Sequence, residues 1–203
     1  RLVTTDLNVI GEHYEPIEQC LLAACTIEEV RRIHTHPQAA AQCRHWLREN
    51  LPGTQIVNQS STAAAARMAS EEPGSAAIGP AEAGEAYGLR VLARAIQDYP
   101  DNRTRFFLLG RSMPARTGRD KTSLVFAVRH QAGALHEALT PFRVYGVNMT
   151  MIQSRPVPGR LWKYVFFVDI DGHVDDGHVT RALEDLRGLA SELAVLGSYA
   201  AAE

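Results

Sequence analysis

Short apolar runs alternate with amphipathic segments over the first 110 residues of the chain. Apolar runs bounded by turn residues are typical of buried strands, and apolar residues three or four apart are typical of helices that pack on them. This order predicts an α/β domain with a mostly parallel sheet. The predicted strands are residues 55–57, 76–78, 89–96 and 104–109, and the predicted helices are residues 26–32, 37–51, 61–70 and one that begins at Pro80.

Local capping patterns support these helix starts. Thr26 is followed by Glu29, and this spacing is that of a capping box. Pro37 suits the first helical position, because its missing N–H costs nothing there. Ser61 precedes an alanine-rich segment and can cap it through its hydroxyl. We therefore expect helices to begin at or just after each of these residues.

The pattern restarts after a polar stretch. Residues 111–120 combine serine, proline and glycine with several charges, which is linker composition. Beyond them, the order strand, helix, strand, strand, helix, strand is that of the ferredoxin-like split motif. The predicted domains are residues 1–110 and 121–203, joined by the linker. The predicted elements of the second domain are strands 122–128, 144–152, 161–170 and 194–199, and helices 134–142 and 179–193.

Charge and hydropathy exclude several classes of partner. The 203 residues include 21 Lys and Arg against 23 Asp and Glu, so no broad positive field favours nucleic acid or an anionic membrane. No apolar stretch approaches the roughly 18 residues that a membrane-spanning helix needs. We therefore expect a soluble cytoplasmic protein that binds neither nucleic acid nor membrane.

Two further patterns bear on metals. Cys20, Cys25 and Cys43 are odd in number and match no zinc or redox spacing, so we expect buried reduced thiols. The acidic stretch 169–178 invites comparison with a calcium loop, but Val174 stands where such a loop requires glycine. We expect neither a metal site nor a cofactor.

Two motifs carry a resemblance to a known family. Residues 101–106 resemble the catalytic Thr-Arg-Phe signature of prephenate dehydratases, and residues 146–156 resemble the ligand-binding strand of the ACT domains attached to those enzymes. The resemblance implies a periplasmic-binding-protein-like dehydratase lobe with a mostly parallel sheet, followed by a ferredoxin-like βαββαβ ACT domain. Further similarity lies in residues 11–12, 36–43, 61–64, 86–89 and 96–98.

The family resemblance implies a substrate and a set of site residues. Prephenate carries two carboxylates and a ring hydroxyl, and helix N-termini favour such anions. A threonine hydroxyl is too weak an acid to deliver a free proton, so Thr104 is expected to orient the departing hydroxyl while Arg105 stabilises negative charge. A structural role for Arg105, and an N-cap role for His36, are the alternatives. The implied catalytic residues are Thr104, Arg105 and Phe106, and the implied substrate-binding residues are Ser61, Thr62, Ala63, His36, Gln38 and Asn102.

The second domain is expected to bind L-phenylalanine as an allosteric effector. Its motifs resemble the phenylalanine site that ACT domains form at a dimer interface, although the family usually has Glu where Gln153 stands. The exposed edge of a ferredoxin-like sheet favours pairing with a second copy, so we expect a homodimer or homotetramer. The implied effector-binding residues are Gly133, Ala134, Leu135, Asn148, Gln153, Ser154, Arg155 and Pro156.

The chain also departs from the family pattern. The glycine-rich opening strand and helix of the first lobe have no counterpart here, and the first residue is Arg1 rather than Met. Either the chain is a fragment of a longer enzyme, or the protein has lost the catalytic half and kept regulation. We expect a prephenate dehydratase, a carbon–oxygen lyase that converts prephenate to phenylpyruvate under feedback control by phenylalanine. The alternative is a truncated, non-catalytic module that binds phenylalanine for regulation or interaction.

Overall fold

A computed structural model describes residues 6–157 and 164–202 of the chain. The chain divides into two compact units, one formed by residues 15–104 and the other by residues 1–14 together with 105–203. The elements are β1 (Asn8–Pro16), β2 (Cys20–Ala23), β3 (Arg32–Thr35), α1 (Pro37–Gln42), α2 (Arg44–Asn50), β4 (Gln55–Asn58), α3 (Thr62–Glu71), β5 (Ser75–Gly79), α4 (Ala81–Ala86), β6 (Arg90–Ala93), β7 (Arg103–Gly110), β8 (Asp120–Ala127), α5 (Ala134–Val144), β9 (Met149–Pro156), β10 (Tyr164–Asp171), α6 (Gly177–Leu189) and β11 (Glu192–Ala200).

The 15–104 unit contains a five-stranded sheet in the order β4-β3-β5-β2-β6. Leu21 and Ile33 belong to a core cluster that includes α1 and α2 residues, whereas Cys20 and Leu22 belong to one that includes α3 residues. Helices therefore cover both faces, and the predicted α/β class is confirmed. The sheet is mixed, because β3 runs parallel to β4 and β5 whereas β2 runs antiparallel to β5 and β6. Since β5 and β6 both run antiparallel to β2, four of the five strands point the same way, and the predicted mostly parallel sheet is confirmed with β2 as the exception.

The helix starts follow the predicted caps. Thr26 and Glu29 form the capping box, and the Ser61 hydroxyl accepts a hydrogen bond from the backbone N–H of Ala64 at 3.1 Å. The predicted helix 26–32 was wrong in extent: only a 3₁₀ turn at Ile27–Glu29 forms, because the following residues pair as β3.

Two other elements of this unit are shorter than predicted. The helix expected over residues 37–51 is divided at Cys43, whose backbone leaves the helical region before α2 begins. The strand expected over residues 89–96 ends early, and Ala95 just beyond it takes a φ of 52°. A positive φ in a residue with a side chain is a turn conformation, so pairing cannot continue there.

The second unit holds a four-stranded antiparallel sheet in the order β11-β8-β10-β9. Helices α5 and α6 pack on it around a core that includes Phe126, Phe142 and Leu186. This is the predicted ferredoxin-like arrangement. The strand expected from residue 144 instead begins at Met149, because α5 continues through Val144. Residues 161–163 of the next predicted strand lie outside the described residues.

Strands β1 and β7 form a separate two-stranded sheet. The chain passes between the two units within these strands, at Tyr14–Glu15 and at Thr104–Arg105. Neither strand is interrupted at the crossing.

Among the described residues, no helix is both long and apolar enough to span a bilayer. The predicted domain boundaries at residues 111–120 remain a prediction.

Candidate functional site

A polar cavity of about 260 Å³ lies within the 15–104 unit. Its walls come from α1 and its N-cap residue, from the starts of α3 and β7, and from the segment that leads into β2. These elements are distant in sequence, so only the folded sheet brings them together. The lining residues are Ile17, Gln19, His36, Gln38, Ala39, Gln42, Thr62, Asn102, Arg103 and Thr104.

Three side-chain amides form a chain of hydrogen bonds along the cavity. The amide nitrogen of Gln19 donates to Gln42 Oε1 at 3.2 Å, and Gln42 in turn donates to Asn102 Oδ1 at 3.3 Å. Asn102 also donates to the backbone carbonyl of Ile17 at 3.3 Å. Gln19 Oε1 is buried and accepts no hydrogen bond from the described residues. A buried carbonyl oxygen without a donor is costly, so this atom is suited to accept a hydrogen bond from a bound ligand.

The two predicted helix starts contribute to the cavity in different ways. His36 caps α1, its Nδ1 accepting from the backbone N–H of Gln38 at 3.3 Å, and both residues also line the cavity. His36 is therefore the N-cap of α1, and its place in the cavity wall is also compatible with a contact to the substrate. At α3, Ser61 is occupied by capping, while Thr62 in the next position lines the cavity. Neither Ser61 nor Ala63 is among the lining residues.

Strand β7 contributes Arg103 and Thr104 to the cavity. Arg103 supplies the positive charge there, and it forms a 3.6 Å ion pair with the exposed carboxylate of Asp101. Sequence reasoning did not select Arg103, although it stands beside Thr104 in the recognised motif. Its place in that motif, directly before Thr104, was the available indication.

Arg105 and Phe106 do not line the cavity. The Arg105 guanidinium donates to Glu12 Oε2 at 2.7 Å and to the Tyr199 hydroxyl at 2.9 Å, and it also pairs with Asp169. Burial would lower the pKa of Arg105, but the hydrogen bond and charge of Asp169 outweigh it and raise this pKa. Phe106 is about half exposed on the strand. Of the three predicted catalytic residues, only Thr104 meets the cavity, together with four of the predicted substrate-binding residues, His36, Gln38, Thr62 and Asn102.

The predicted effector residues occupy both ends of the ferredoxin-like sheet. Gly133 precedes α5 with a φ of 84°, a conformation that favours glycine. Ala127 at the end of β8 pairs with Val165, which pairs with Arg155, so the Gln153–Pro156 segment lies at the sheet end where β8 leads toward Gly133.

Asn148 lies at the opposite end of the sheet. It donates to Asp171 Oδ2 at 2.8 Å, and the residue after it, Met149, pairs with Ile170. Asn148 and Arg155 are seven positions apart in the sequence, which corresponds to roughly 23 Å along an extended strand. A single chain therefore does not bring all the predicted effector residues together.

These features define a class: an α/β unit with a polar, ligand-sized cavity, followed by a ferredoxin-like unit with one exposed edge strand. The model of the family described as prephenate dehydratase matches residues 1–114, and the model of the ACT domain matches residues 122–188. The chain belongs to the prephenate dehydratase family.

Similar proteins span nearly all of this chain. The bifunctional chorismate mutase/prephenate dehydratase of Aquifex aeolicus is 43% identical over 96% of the chain, which covers 54% of that relative. A solved prephenate dehydratase from Arthrobacter aurescens in complex with L-Phe is 42% identical, with a TM-score of 0.85 over 96% of this chain and 66% of that one. GqqA, titled a novel type of quorum quenching acylase, is 36% identical, with a TM-score of 0.82 over 97% of this chain and 73% of that one.

The chain spans about half the length of the curated relatives it matches. The structurally similar proteins also carry names for different reactions. Since one fold can host several chemistries, the activity has to be argued from the site.

Proposed function

We propose that this chain takes part in the decarboxylating dehydration of prephenate to phenylpyruvate, and that L-phenylalanine regulates the reaction at the ACT domain. One observation carries the catalytic proposal. The cavity brings Thr104 of the recognised motif together with His36, Gln38, Thr62 and Asn102, which come from separate elements. The names of the similar dehydratases support the same reaction.

The reaction requires little covalent chemistry from the protein. The ring carboxylate leaves as CO₂, its bonding electrons form a ring double bond, and the ring C–O bond breaks. The departing hydroxide takes a proton and leaves as water, while the ring becomes aromatic. Catalysis then depends mainly on holding the substrate and stabilising the charge that develops on the leaving oxygen.

The cavity residues suit these tasks. Arg103 provides a guanidinium for one substrate carboxylate, and Thr62 and Gln38 add polar groups beside it. The Thr104 hydroxyl hydrogen-bonds and orients the departing hydroxyl group. The buried Gln19 Oε1 accepts a hydrogen bond from a substrate hydroxyl.

The test is phenylpyruvate formation from prephenate by the 203-residue chain and by Thr104→Ala. We expect the variant to lose about 10²- to 10³-fold in kcat, the loss typical when a donor to a developing oxyanion is removed. Thr54→Ala is the matched control, because Thr54 lies in the same unit but outside the cavity. We expect the control to retain activity.

Two results would contradict the catalytic proposal. A Thr104→Ala variant with unchanged kcat would remove Thr104 from the reaction. A wild-type chain that binds phenylalanine saturably but forms no phenylpyruvate would favour the alternative, a non-catalytic phenylalanine-binding module.

We also infer that two copies associate through β9 and bind phenylalanine between them. In support, β9 is an edge strand of its sheet, and its residues from Ile152 to Pro156 are exposed. Antiparallel pairing of two β9 strands about a two-fold axis would bring Asn148 of one copy toward the Arg155 end of the other. Such a dimer would reunite the effector residues that one chain separates, and pairs of dimers would form a tetramer. We also propose that this reaction takes place in the cytoplasm.

A further inference from the structure

Arg105 is held by three partners on three different strands. Besides Glu12 of β1, it contacts Asp169 of β10 and the hydroxyl of Tyr199 of β11. Its guanidinium carbon also lies 4.4 Å from the centre of the Phe107 ring. Every polar atom of the guanidinium is thus directed at the protein. With each of its three nitrogens held by a protein side chain, Arg105 is placed to fix the strand rather than to bind a substrate carboxylate.

The partners of Arg105 are themselves locked in the ferredoxin-like sheet. Ser123 of β8 donates to Asp169 Oδ1 at 2.5 Å and lies 2.6 Å from the Tyr199 hydroxyl. All three of these side chains are buried. Burial raises the pKa of Tyr199 to about 12, so its hydroxyl remains protonated and the network is closed at neutral pH. The sheet therefore holds Asp169 and Tyr199 in fixed positions before they bind Arg105. Together with Glu12, these residues are called the Arg105 socket.

The paired strand β1 is anchored to the same sheet. Glu12 accepts from Lys121 Nζ at 2.6 Å and from the backbone N–H of Ala202 at 3.2 Å. A side chain added at Gly197 of β11 would overlap the backbone carbonyl of Val9, so the two backbones are in direct contact there. Both strands of the β1–β7 pair are thus fastened to the ferredoxin-like sheet.

Thr104 lines the cavity and is the residue directly before Arg105 in β7, so the contacts that hold Arg105 also restrain the backbone at Thr104. We propose that Arg105 is a positioning residue, which acts through Asp169 and Tyr199 to fix β7 and thereby set the position of Thr104 in the cavity. This proposal rests on the proposed function, because it assigns Arg105 a role in the reaction of Thr104. The arginine of the Thr-Arg-Phe motif then holds the strand on the ferredoxin-like sheet and does not bind the substrate.

The same contacts reach the effector strand. Asp171, two residues beyond Asp169 on β10, accepts from Asn148, and the Thr150 hydroxyl donates to the backbone carbonyl of Asp169 at 3.4 Å. A shift of β9 on phenylalanine binding would therefore act on the strand that holds Arg105. In this scheme, the Arg105 socket is the physical connection between the effector strand and Thr104.

The test removes the socket without touching the cavity. In the full 203-residue chain, Asp169→Asn and Tyr199→Phe each alter one partner of Arg105. We expect kcat for prephenate to fall about tenfold or more, with KM changed less than about threefold, because misplacing a catalytic group lowers the rate without removing substrate contacts. Inhibition by phenylalanine is expected to weaken in the same variants.

A double-mutant comparison separates this role from direct substrate binding. If Arg105 acts through Asp169, the pair Arg105→Lys/Asp169→Asn loses no more kcat than Arg105→Lys alone. If Arg105 instead bound the substrate, Arg105→Lys would raise KM and Asp169→Asn would keep full kcat. That pair of results would show the proposal to be wrong. Asp185→Asn is the control, since Asp185 is an exposed carboxylate of α6 that binds only the Tyr145 hydroxyl in the described contacts.

Hydrogen exchange provides a readout that does not depend on activity. Backbone amides of residues 103–108 are expected to exchange about tenfold faster in Tyr199→Phe and in Asp169→Asn than in wild type, with Asp185→Asn unchanged. Tyr199→Phe keeps the buried ring, so it remains informative even if Asp169→Asn unfolds. If wild type makes no phenylpyruvate, the proposed function fails while this measurement still decides the role of Arg105. Unchanged exchange in Tyr199→Phe would overturn it.

Discussion

Glu12 is a charged residue whose carboxylate joins several distant parts of the chain. Its side chain is fully buried, yet it accepts hydrogen bonds from Arg105, Lys121 and the backbone of Ala202. Burial alone would raise the pKa of Glu12, but the hydrogen bonds from Lys121 and Ala202 and the nearby positive charges lower it overall. An ionised carboxylate in this position therefore stabilises the folded chain.

The lowered pKa of Glu12 predicts a pH dependence of stability. A carboxyl group with a folded pKa below its unfolded value of about 4.3 contributes stability above that value and loses it as the pH falls. Glu12→Gln lacks this carboxylate, so we expect it to be about 3 kcal/mol less stable than wild type at pH 7, and the difference to narrow toward pH 4. Urea unfolding at pH 7, 5 and 4 measures both quantities.

The control for this prediction is Glu85→Gln, which changes an exposed residue of α4. It is expected to stay within about 0.5 kcal/mol of wild type at each pH. A difference between wild type and Glu12→Gln that stays constant from pH 7 to pH 4 would show that the carboxylate charge is not the stabilising feature.

At the scale of elements, the strand pair β1–β7 was only half predicted. Strand β7 was predicted from its apolar run, whereas β1 was missed because residues 8–16 mix charged and apolar side chains. The charged positions of β1 have partners far away in sequence, such as the Glu12–Lys121 pair. Periodicity within one segment cannot reveal such partners. The capping residues Thr26 and Ser61, by contrast, act within three residues and were predicted correctly.

Gly197 gives a test of how tightly β1 packs on β11. The β11 register shifts between Val195 and Gly197, and a methyl group at Gly197 would overlap the backbone of Val9. We expect Gly197→Ala to lower the free energy of unfolding by about 1–3 kcal/mol or more. Thermal or urea unfolding followed by circular dichroism measures this change.

The matched control for Gly197→Ala is Gly188→Ala in α6. A methyl group at Gly188 meets no atom within 4 Å, and alanine favours helix by up to about 1 kcal/mol over glycine. Gly188→Ala should therefore be neutral or stabilising. Equal effects of the two substitutions would contradict close contact between the β1 and β11 backbones.

At the scale of the whole molecule, the separation of Asn148 from Arg155 predicts a link between effector binding and association. If two β9 edges together form the site, phenylalanine should tighten the dimer. We expect light scattering at low micromolar protein to show more dimer or tetramer with phenylalanine than without it.

Asn148→Ala should reduce this response, whereas Asn50→Ala, which changes an exposed residue of α2 in the other unit, should not. Saturable phenylalanine binding by a species that stays monomeric would contradict a site shared between copies.

The sequence alone determined the family, the ferredoxin-like order of the second half and most helix starts, because these depend on motifs and on residues within a few positions of one another. It also identified Thr104, His36, Gln38, Thr62 and Asn102, which the fold gathers around one cavity. Only the tertiary structure decided that Arg103 rather than Arg105 lines that cavity, and that Gln19 and Gln42 extend it. The direction in which a strand side chain points depends on what packs against each face, and here the three partners of Arg105 on β7 lie more than 60 residues away from it in the sequence.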